Sequence, residues 1–144
     1  MSLRLSSETL HASTVAVDGR AVLITGLSGS GKSDLALQLI DRGFTLVSDD
    51  QTIVQKRGST LHASAPATIR GKLEIRGIGI IPMPVVEDVP VALVVELASD
   101  VQRFPSDTRE RTICGLAVPM ISIDARTASA PSKVSLALDR FGLK

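Results

Sequence analysis

The stretch Gly26-Leu27-Ser28-Gly29-Ser30-Gly31-Lys32-Ser33 has the spacing G-x-x-x-x-G-K-S, the pattern of a phosphate-binding P-loop. The apolar, partly β-branched run at residues 21–25 comes directly before it and predicts a buried strand. After it, apolar residues recur at helical spacing up to Arg42, and Gly43 predicts the end of that helix. The motif therefore lies between a strand and a helix, the context in which it binds phosphate.

The residue types of the motif explain this chemistry. Glycines let the backbone turn its N–H groups towards phosphate oxygens, and the start of a helix adds partial positive charge. Lys32 would reach the β- and γ-phosphates of a nucleotide, and the hydroxyl of Ser33 would join the shell of a Mg²⁺ ion. A glycine- and serine-rich loop can match the pattern by chance, but the flanking strand and helix favour a nucleotide or phosphate site.

The composition indicates one globular domain spanning residues 1–144. Of these residues 44% are hydrophobic, with three Phe and no Trp or Tyr, so the predicted core is aliphatic. A net charge of +1 and the scarcity of aromatic residues give no case for nucleic-acid binding. The single cysteine, Cys114, excludes an internal disulfide, and nothing at the N-terminus resembles a signal peptide, so a cytoplasmic location is expected. No apolar run approaches the length that spans a membrane.

The remaining pattern predicts an α/β fold that is rich in strands and contains mixed sheets. Asp18-Gly19 predicts a hairpin between residues 11–17 and 20–25, which gives the P-loop strand an antiparallel neighbour. Residues 1–10 are expected to be a polar lead-in and residues 99–111 a surface loop or short irregular element. In all, the sequence predicts seven or eight strands and two helices. The further predicted strand segments are 44–47, 51–56, 60–64, 73–81 (ending at Pro82), 91–97 and an edge or bent strand at 116–123. The second helix is predicted from the N-cap Ser132 to Arg140 or Phe141.

Asp49-Asp50 is the best candidate for carboxylate chemistry. It follows the strand that returns from the P-loop helix, so it is expected near the phosphates. Successive side chains of a strand point to opposite faces, so both carboxylates can face one site only if the chain leaves the extended form there. The alternative is an ordinary turn between two strands.

Three other residues cannot be assigned from the pattern alone. Glu74 has the position of a residue on the solvated face of a strand. His11 is either a partly buried strand residue or a neighbour of the site across the hairpin. Lys133 at a helix start is poorly placed for the helix dipole, so it is either a surface residue or a cation held there to meet an anion.

Together these motifs resemble one family, the C-terminal catalytic domain of the bacterial HPr kinase/phosphorylase. Thr9-Leu10-His11 resembles the family's histidine segment before the P-loop, and Ser48-Asp49-Asp50 resembles its double-aspartate segment. The most specific match is the stretch Leu73-Glu74-Ile75-Arg76-Gly77-Ile78-Gly79-Ile80-Ile81, which is similar to the signature L-E-I-R-G-x-G-I-I and is called the signature segment below. The likeness extends from about Thr9 to the last helix.

The resemblance implies an ATP-dependent kinase that phosphorylates a serine of HPr, the phosphocarrier of the sugar phosphotransferase system, or of its nitrogen-related paralogue. In the family's reverse reaction, phosphate attacks phosphoserine-HPr and releases pyrophosphate. The implied fold is similar to phosphoenolpyruvate carboxykinase, and the implied assembly is a homohexamer. The implied site has Asp49 as the base on the seryl hydroxyl, His11, Lys32 and Lys133 as further catalytic residues, and Ser33, Asp50 and Glu74 in the magnesium shell.

The chain departs from the family pattern in three places. The family's separate N-terminal domain has no counterpart, which resembles a short form found in some proteobacteria. Pro82 stands where the signature usually ends with Asp. The family's arginine loop, P-G-R-N, is matched at best by Pro131-Ser132-Lys133-Val134, where a lysine would keep the charge but lose the bidentate geometry. These departures bear on the phosphorylase direction and on allosteric control more than on the kinase step.

Two alternatives to an HPr kinase remain open from the sequence. A small-molecule P-loop kinase usually carries an arginine-rich lid, for which residues 103–111 are the candidate. The other alternative is a non-catalytic module that senses nucleotide and binds a regulatory partner.

Overall fold

The computed structural model describes residues 6–99 and 109–144. Within them the chain forms eleven strands and two helices. In chain order these are β1 (Ser7–Leu10), β2 (Ala12–Val17), β3 (Arg20–Thr25), α1 (Lys32–Asp41), β4 (Thr45–Ser48), β5 (Thr52–Arg57), β6 (Thr60–Ser64), β7 (Lys72–Ile75), β8 (Gly79–Pro82), β9 (Val89–Leu97), β10 (Arg109–Ile113), β11 (Leu116–Ile123) and α2 (Ala130–Phe141). Neither described helix has the length and apolar character that crossing a membrane requires.

The P-loop strand β3 lies in the middle of a mixed nine-stranded sheet. It pairs with β2 in the antiparallel sense and with β9 in the parallel sense, and β9 pairs in parallel with β11 along its last four residues. The strand order is β1-β5-β6-β9-β3-β2-β4, with β11 and β10 branching from β9. The predicted antiparallel neighbour of the P-loop strand is therefore confirmed, as is the strand-rich α/β fold.

Two apolar clusters cover the two faces of the central strands. Residues of α1 and α2 pack on one face, and residues of β1, β5, β6 and β10 pack on the other. Strand β9 contributes to both clusters, with Leu93 and Val95 in the first and Val91 and Val94 in the second. A strand that is covered on both faces has a nearly continuous apolar sequence, and residues 91–97 are apolar except for Glu96.

Several predicted segments are confirmed. The hairpin around residues 18–19 is present, the predicted segments 51–56 and 60–64 are the antiparallel strands β5 and β6, and α1 ends at Asp41, one residue before Arg42. Strand β8 ends at Pro82, as expected.

Other expectations were wrong, and most of the errors come from pairings between distant segments. Residues 7–10 are a strand that pairs with β5, although their sequence is polar. The signature segment is a hairpin of β7 and β8, because Gly77 and Gly79 have φ values of 87° and 122° and reverse the chain. Residues 109–111 belong to β10, while residues 100–108 lie outside the described residues.

Of the two C-terminal elements, β11 agrees in part with expectation and α2 does not. Strand β11 pairs with β10 along residues 116–120 and with β9 along residues 120–123, so each half of it has a neighbour on one side only. Its pairing with β9 begins only at Met120, just after Pro119, so the missing N–H of proline leaves no gap in that ladder. Helix α2 begins at Ala130 with Ser129 as its N-cap, and the hydroxyl of Ser132 instead accepts a hydrogen bond from Arg42 at 2.9 Å.

Candidate active site

The P-loop (residues 26–33) connects β3 to α1 with a backbone that favours glycine. Gly26, Gly29 and Gly31 have φ values of 154°, 80° and 101°. A Cβ atom on Gly26 would lie 2.6 Å from the hydroxyl oxygen of Ser30 and 3.2 Å from the Cβ atom of Leu97, so a side chain at this position would require these neighbours to shift. That hydroxyl is buried and has no hydrogen-bond partner among the described residues. A glycine cradle with an unpartnered polar atom fits a phosphate group.

Lys32 is held inside the same loop. Its side chain is buried, and Nζ donates hydrogen bonds to the carbonyl oxygens of Gly26 and Leu27, both at 3.1 Å. The ammonium group therefore lies over the first two residues of the P-loop. This places a fixed positive charge where the β- and γ-phosphates of a nucleotide are expected.

Asp49 joins three segments that are distant in sequence. Its Oδ1 accepts hydrogen bonds from the hydroxyls of Ser33, at 2.6 Å, and Ser13, at 2.9 Å. Its Oδ2 accepts one from the backbone N–H of Glu74, at 3.0 Å. The carboxylate is buried, and each of its oxygens is occupied. The P-loop, the double aspartate and the signature segment thus meet at one carboxylate.

Asp50 differs from Asp49 in its surroundings. Its φ of 66° takes the chain out of the extended form immediately after Asp49, and its backbone N–H donates to the hydroxyl of Ser13 at 3.1 Å. The residue is exposed, and its carboxylate makes no hydrogen bond or ion pair with a described residue. The two neighbouring carboxylates therefore differ: the first is buried and accepts three hydrogen bonds, and the second is exposed.

The oxygen ligands near the P-loop fit a magnesium ion bound together with a nucleotide. The hydroxyl of Ser33 and the carboxylate of Asp49 are the hard donors that Mg²⁺ prefers. The side chain of Glu74 is exposed, and it is the backbone of this residue that contacts Asp49. Among residues 6–99 and 109–144 no three His, Cys, Asp or Glu side chains converge on one point. Such a cage is not required, because Mg²⁺ usually takes one or two carboxylates and completes its shell with phosphates and waters.

His11 is exposed at the bend between β1 and β2 and lines an open depression beside the P-loop. This depression, called the His11 depression below, also contains Gly26, Leu27, Glu96 and Arg111. His11 directly precedes β2, whose first residue pairs with the last residue of β3, and Asp49 directly follows β4, the other neighbour of β2. Sequence reasoning singled out neither Glu96 nor a specific role for Arg111.

The segment between β11 and α2 contacts the P-loop through Ala125. A Cβ atom on Gly31 would lie 3.4 Å from the Cβ atom of Ala125. Lys133, in the first turn of α2, is exposed, and its charge contributes to lowering the pKa of Asp124. A second cation of the segment, Arg126, was missed because no motif marks it. Ser13 was missed for the same reason, since a serine inside an apolar strand carries no signal of its own.

Asp124 and Arg126 form an ion pair, from which we predict how the protonation of Asp124 depends on pH. Arg126 donates to Asp124 through Nε at 3.0 Å, through Nη2 at 2.9 Å and through its backbone N–H at 2.9 Å. The side-chain hydrogen bonds from Arg126, followed by its backbone hydrogen bond, lower the pKa of Asp124 from 3.8 to about 2. A carboxyl with a lowered pKa stabilises the fold above its ordinary pKa, and this contribution is lost as the pH falls through about 2.

We therefore expect carbon NMR of the Asp124 carboxyl to show titration near pH 2 in the unsubstituted protein. Arg126→Gln should raise that pKa towards 3.8, whereas Lys133→Gln should change it much less, because Lys133 is the smallest of the causes. Titration of Asp124 near its ordinary pKa in the unsubstituted protein would show that the ion pair does not form in solution.

Comparisons with known proteins agree on one family. The family model described as the HPr serine kinase C-terminal domain matches residues 4–137. A protein of Clostridium botulinum named HPr kinase/phosphorylase is 36% identical, over 85% of this chain and 45% of its own length. One of the same name from Latilactobacillus sakei is 38% identical, over 82% of this chain and 42% of its own length. The chain thus spans less than half the length of these curated relatives.

A solved structure gives the same result for the fold. The structure of the Hpr(Ser) kinase/phosphatase from Coxiella burnetii superimposes with a TM-score of 0.80 and 33% sequence identity, covering 92% of this chain and 95% of that one. On the matched residues and this superposition, the chain belongs to the family of the HPr serine kinase C-terminal domain.

Proposed function

We propose that the protein is an ATP-dependent kinase that requires Mg²⁺ and phosphorylates a serine of HPr or of its nitrogen-related paralogue. The observation that carries this proposal is the meeting of Ser33, Asp49 and the backbone of Glu74 at one buried carboxylate. It joins the motif that binds nucleotide to the segment that most resembles the HPr kinases. The names of the relatives support HPr as the acceptor.

In the proposed mechanism the P-loop residues bind and orient ATP. Backbone N–H groups of the loop and the ammonium of Lys32 would hold the β- and γ-phosphates, and Ser33 with Asp49 would hold the magnesium ion. When bound, Mg²⁺ neutralises charge on the phosphates during transfer. Most of the catalytic effect in this reaction class comes from positioning and electrostatic stabilisation, so a rigid loop is what the fold has to supply.

The contacts favour Asp50, rather than Asp49, as the carboxylate that meets the seryl hydroxyl. Asp49 is buried and its oxygens already accept three hydrogen bonds, so they are less accessible to a serine of another protein than those of its exposed neighbour. Asp50 is adjacent, exposed and has a free carboxylate among the described residues. We therefore propose the reverse of the roles expected from the motif, with Asp49 on the metal side and Asp50 as the base.

The remaining expectations stay proposals. His11 would contact the acceptor side of the site, Glu74 would turn its carboxylate towards the metal, and Lys133 would serve the phosphates from the start of α2. The reverse reaction with inorganic phosphate, a homohexamer and a cytoplasmic location rest on the family likeness. A monomeric mass measured by light scattering would contradict the proposed hexamer.

Phosphotransfer to purified HPr tests the proposal. Incubation with ATP and MgCl₂ should place one phosphate on a serine of HPr, located by mass spectrometry, and the HPr paralogue serves as a second acceptor. Lys32→Met should reduce transfer to background, which shows that the activity does not come from a contaminating kinase. Lys56→Met, a lysine at the far end of β5, is the matched control and should transfer normally.

Two outcomes would overturn the proposal. ATP consumption that is accelerated by a metabolite and by neither HPr protein would indicate a small-molecule kinase. Tight ATP binding without turnover on any acceptor would indicate a nucleotide-sensing module.

A further inference from the structure

The His11 depression lies at the end of the P-loop where the γ-phosphate is expected. Lys32 Nζ contacts the carbonyl oxygens of Gly26 and Leu27, and these same two residues line the depression. Since the P-loop lysine reaches the β- and γ-phosphates, the γ-phosphoryl group would lie close to this opening. The other end of the loop, at the start of α1, is occupied by Ser33 and Asp49.

The His11 depression is lined by one acidic residue, Glu96, and by Arg111, whose positive charge is available to an anion. The carboxylate of Glu96 accepts a hydrogen bond from Ser122 at 3.0 Å and lies 3.5 Å from Nη2 of Arg109. Its charge is therefore balanced by Arg109 on the same strand as Arg111. Arg111 itself is half-buried on β10 and forms no ion pair with a described residue.

The position of Arg111 matches the needs of phosphoryl transfer. In an in-line transfer the attacking and leaving oxygens lie on opposite sides of the phosphorus, and charge is spread over the three equatorial oxygens. A guanidinium beside the γ-phosphoryl group can donate two parallel hydrogen bonds to such oxygens. Half-burial strengthens this interaction relative to one in open water.

We propose that Arg111 is a further substrate-contacting residue, which binds the equatorial oxygens of the phosphoryl group during transfer. This inference rests on the proposed function. In the step itself, the seryl oxygen forms a bond to phosphorus, the bond from phosphorus to the ADP oxygen breaks, and the hydroxyl proton passes to the Asp50 carboxylate. Arg111 exchanges no proton. The Glu96–Arg109 pair contributes only to the electrostatic potential in the depression.

The test compares Arg111→Gln with Arg111→Lys and with Arg57→Gln. Arg57 lies on the β5–β6 hairpin and pairs with Asp88. Arg57→Gln therefore removes one positive charge, as Arg111→Gln does, but away from the site. Arg111→Gln should lower kcat for HPr phosphorylation by about a hundredfold, the lower end of the range for removing one preorganised donor. Arg111→Lys should recover part of the loss, because it keeps the charge but not the planar fork.

Binding of MgADP with fluoroaluminate, a mimic of the phosphoryl group in transfer, gives a readout that needs no HPr. Arg111→Gln should weaken it by a similar factor, leave the affinity for ATP unchanged and leave the thermal unfolding midpoint equal to that of Arg57→Gln. If Arg111→Gln behaves like Arg57→Gln in fluoroaluminate binding, the inference is overturned. A loss of ATP affinity as large as the loss of kcat would also overturn it, because the contact would then not be specific to the transfer.

These measurements separate the two proposals. If the unsubstituted protein transfers no phosphate to either HPr protein, the proposed function fails, and fluoroaluminate binding still decides whether Arg111 contacts the phosphoryl group. If transfer occurs and Arg111→Gln is normal in both assays, only the inference fails.

Discussion

Replacement of Asp50 by asparagine is expected to lower kcat for HPr phosphorylation by roughly 10²–10⁴-fold, the contribution of a positioned general base. Asparagine has nearly the same shape but cannot take the proton of the seryl hydroxyl. The positive φ of 66° at this position does not make the substitution disruptive, because asparagine tolerates the left-handed region as aspartate does. The affinity for ATP and the Mg²⁺ concentration for half-maximal activity should stay unchanged.

Asp49→Asn is the matched comparison, since it makes the same chemical change one residue away. An asparagine side chain has a single acceptor oxygen and would place an NH₂ group against one of the donors that Asp49 now accepts. We expect reduced activity together with a higher Mg²⁺ requirement. The assignment taken from the motif predicts the opposite, a raised Mg²⁺ requirement in Asp50→Asn only, and titration of activity with MgCl₂ in both variants decides between them.

Leu93→Ala is expected to reduce the free energy of unfolding by about 2–5 kcal/mol, the range for truncating a buried leucine. Leu93 is 0% exposed in the cluster between the central strands and the two helices. It pairs in register with Val22 of the P-loop strand, so little relaxation of the backbone can close the cavity. Urea unfolding followed by circular dichroism measures the change.

Leu136→Ala is the control for this prediction. It makes the same substitution on α2, where Leu136 is 68% exposed, and alanine is at least as good a helix former as leucine. Its free energy of unfolding should stay close to that of the unsubstituted protein. Equal destabilisation by the two substitutions would contradict the burial of Leu93.

The strongly patterned parts of the fold could be predicted from the sequence. The P-loop, the strand before it and α1 follow from one contiguous stretch, and β9 follows from a run that is apolar except for Glu96. The hairpins at residues 18–19 and 57–59 follow from glycine turns that act locally. In each case the signal and the structure lie within about ten residues of one another, so no distant contact is needed to interpret it.

Elements that depend on distant pairing could not be predicted in this way. Strand β1 exists because β5 supplies its hydrogen-bonding partner, and β10 exists because β11 does. Their own sequences are polar and indicate loops. The N-cap of α2 was placed at Ser132 because serine is favoured there, yet that hydroxyl bonds to Arg42 of the other helix.

From the residues alone it follows that a phosphate-binding loop is present, that two carboxylates follow it and which family its motifs resemble. The difference between the two carboxylates arises only on folding, because Asp49 accepts hydrogen bonds from β2, α1 and β7, three segments that its neighbours in sequence do not reveal. Folding also brings Arg111 of β10 to the opening beside Gly26 and Leu27. The physical reason is the same in both cases: burial and charge at a site are set by residues that folding brings together from distant parts of the chain.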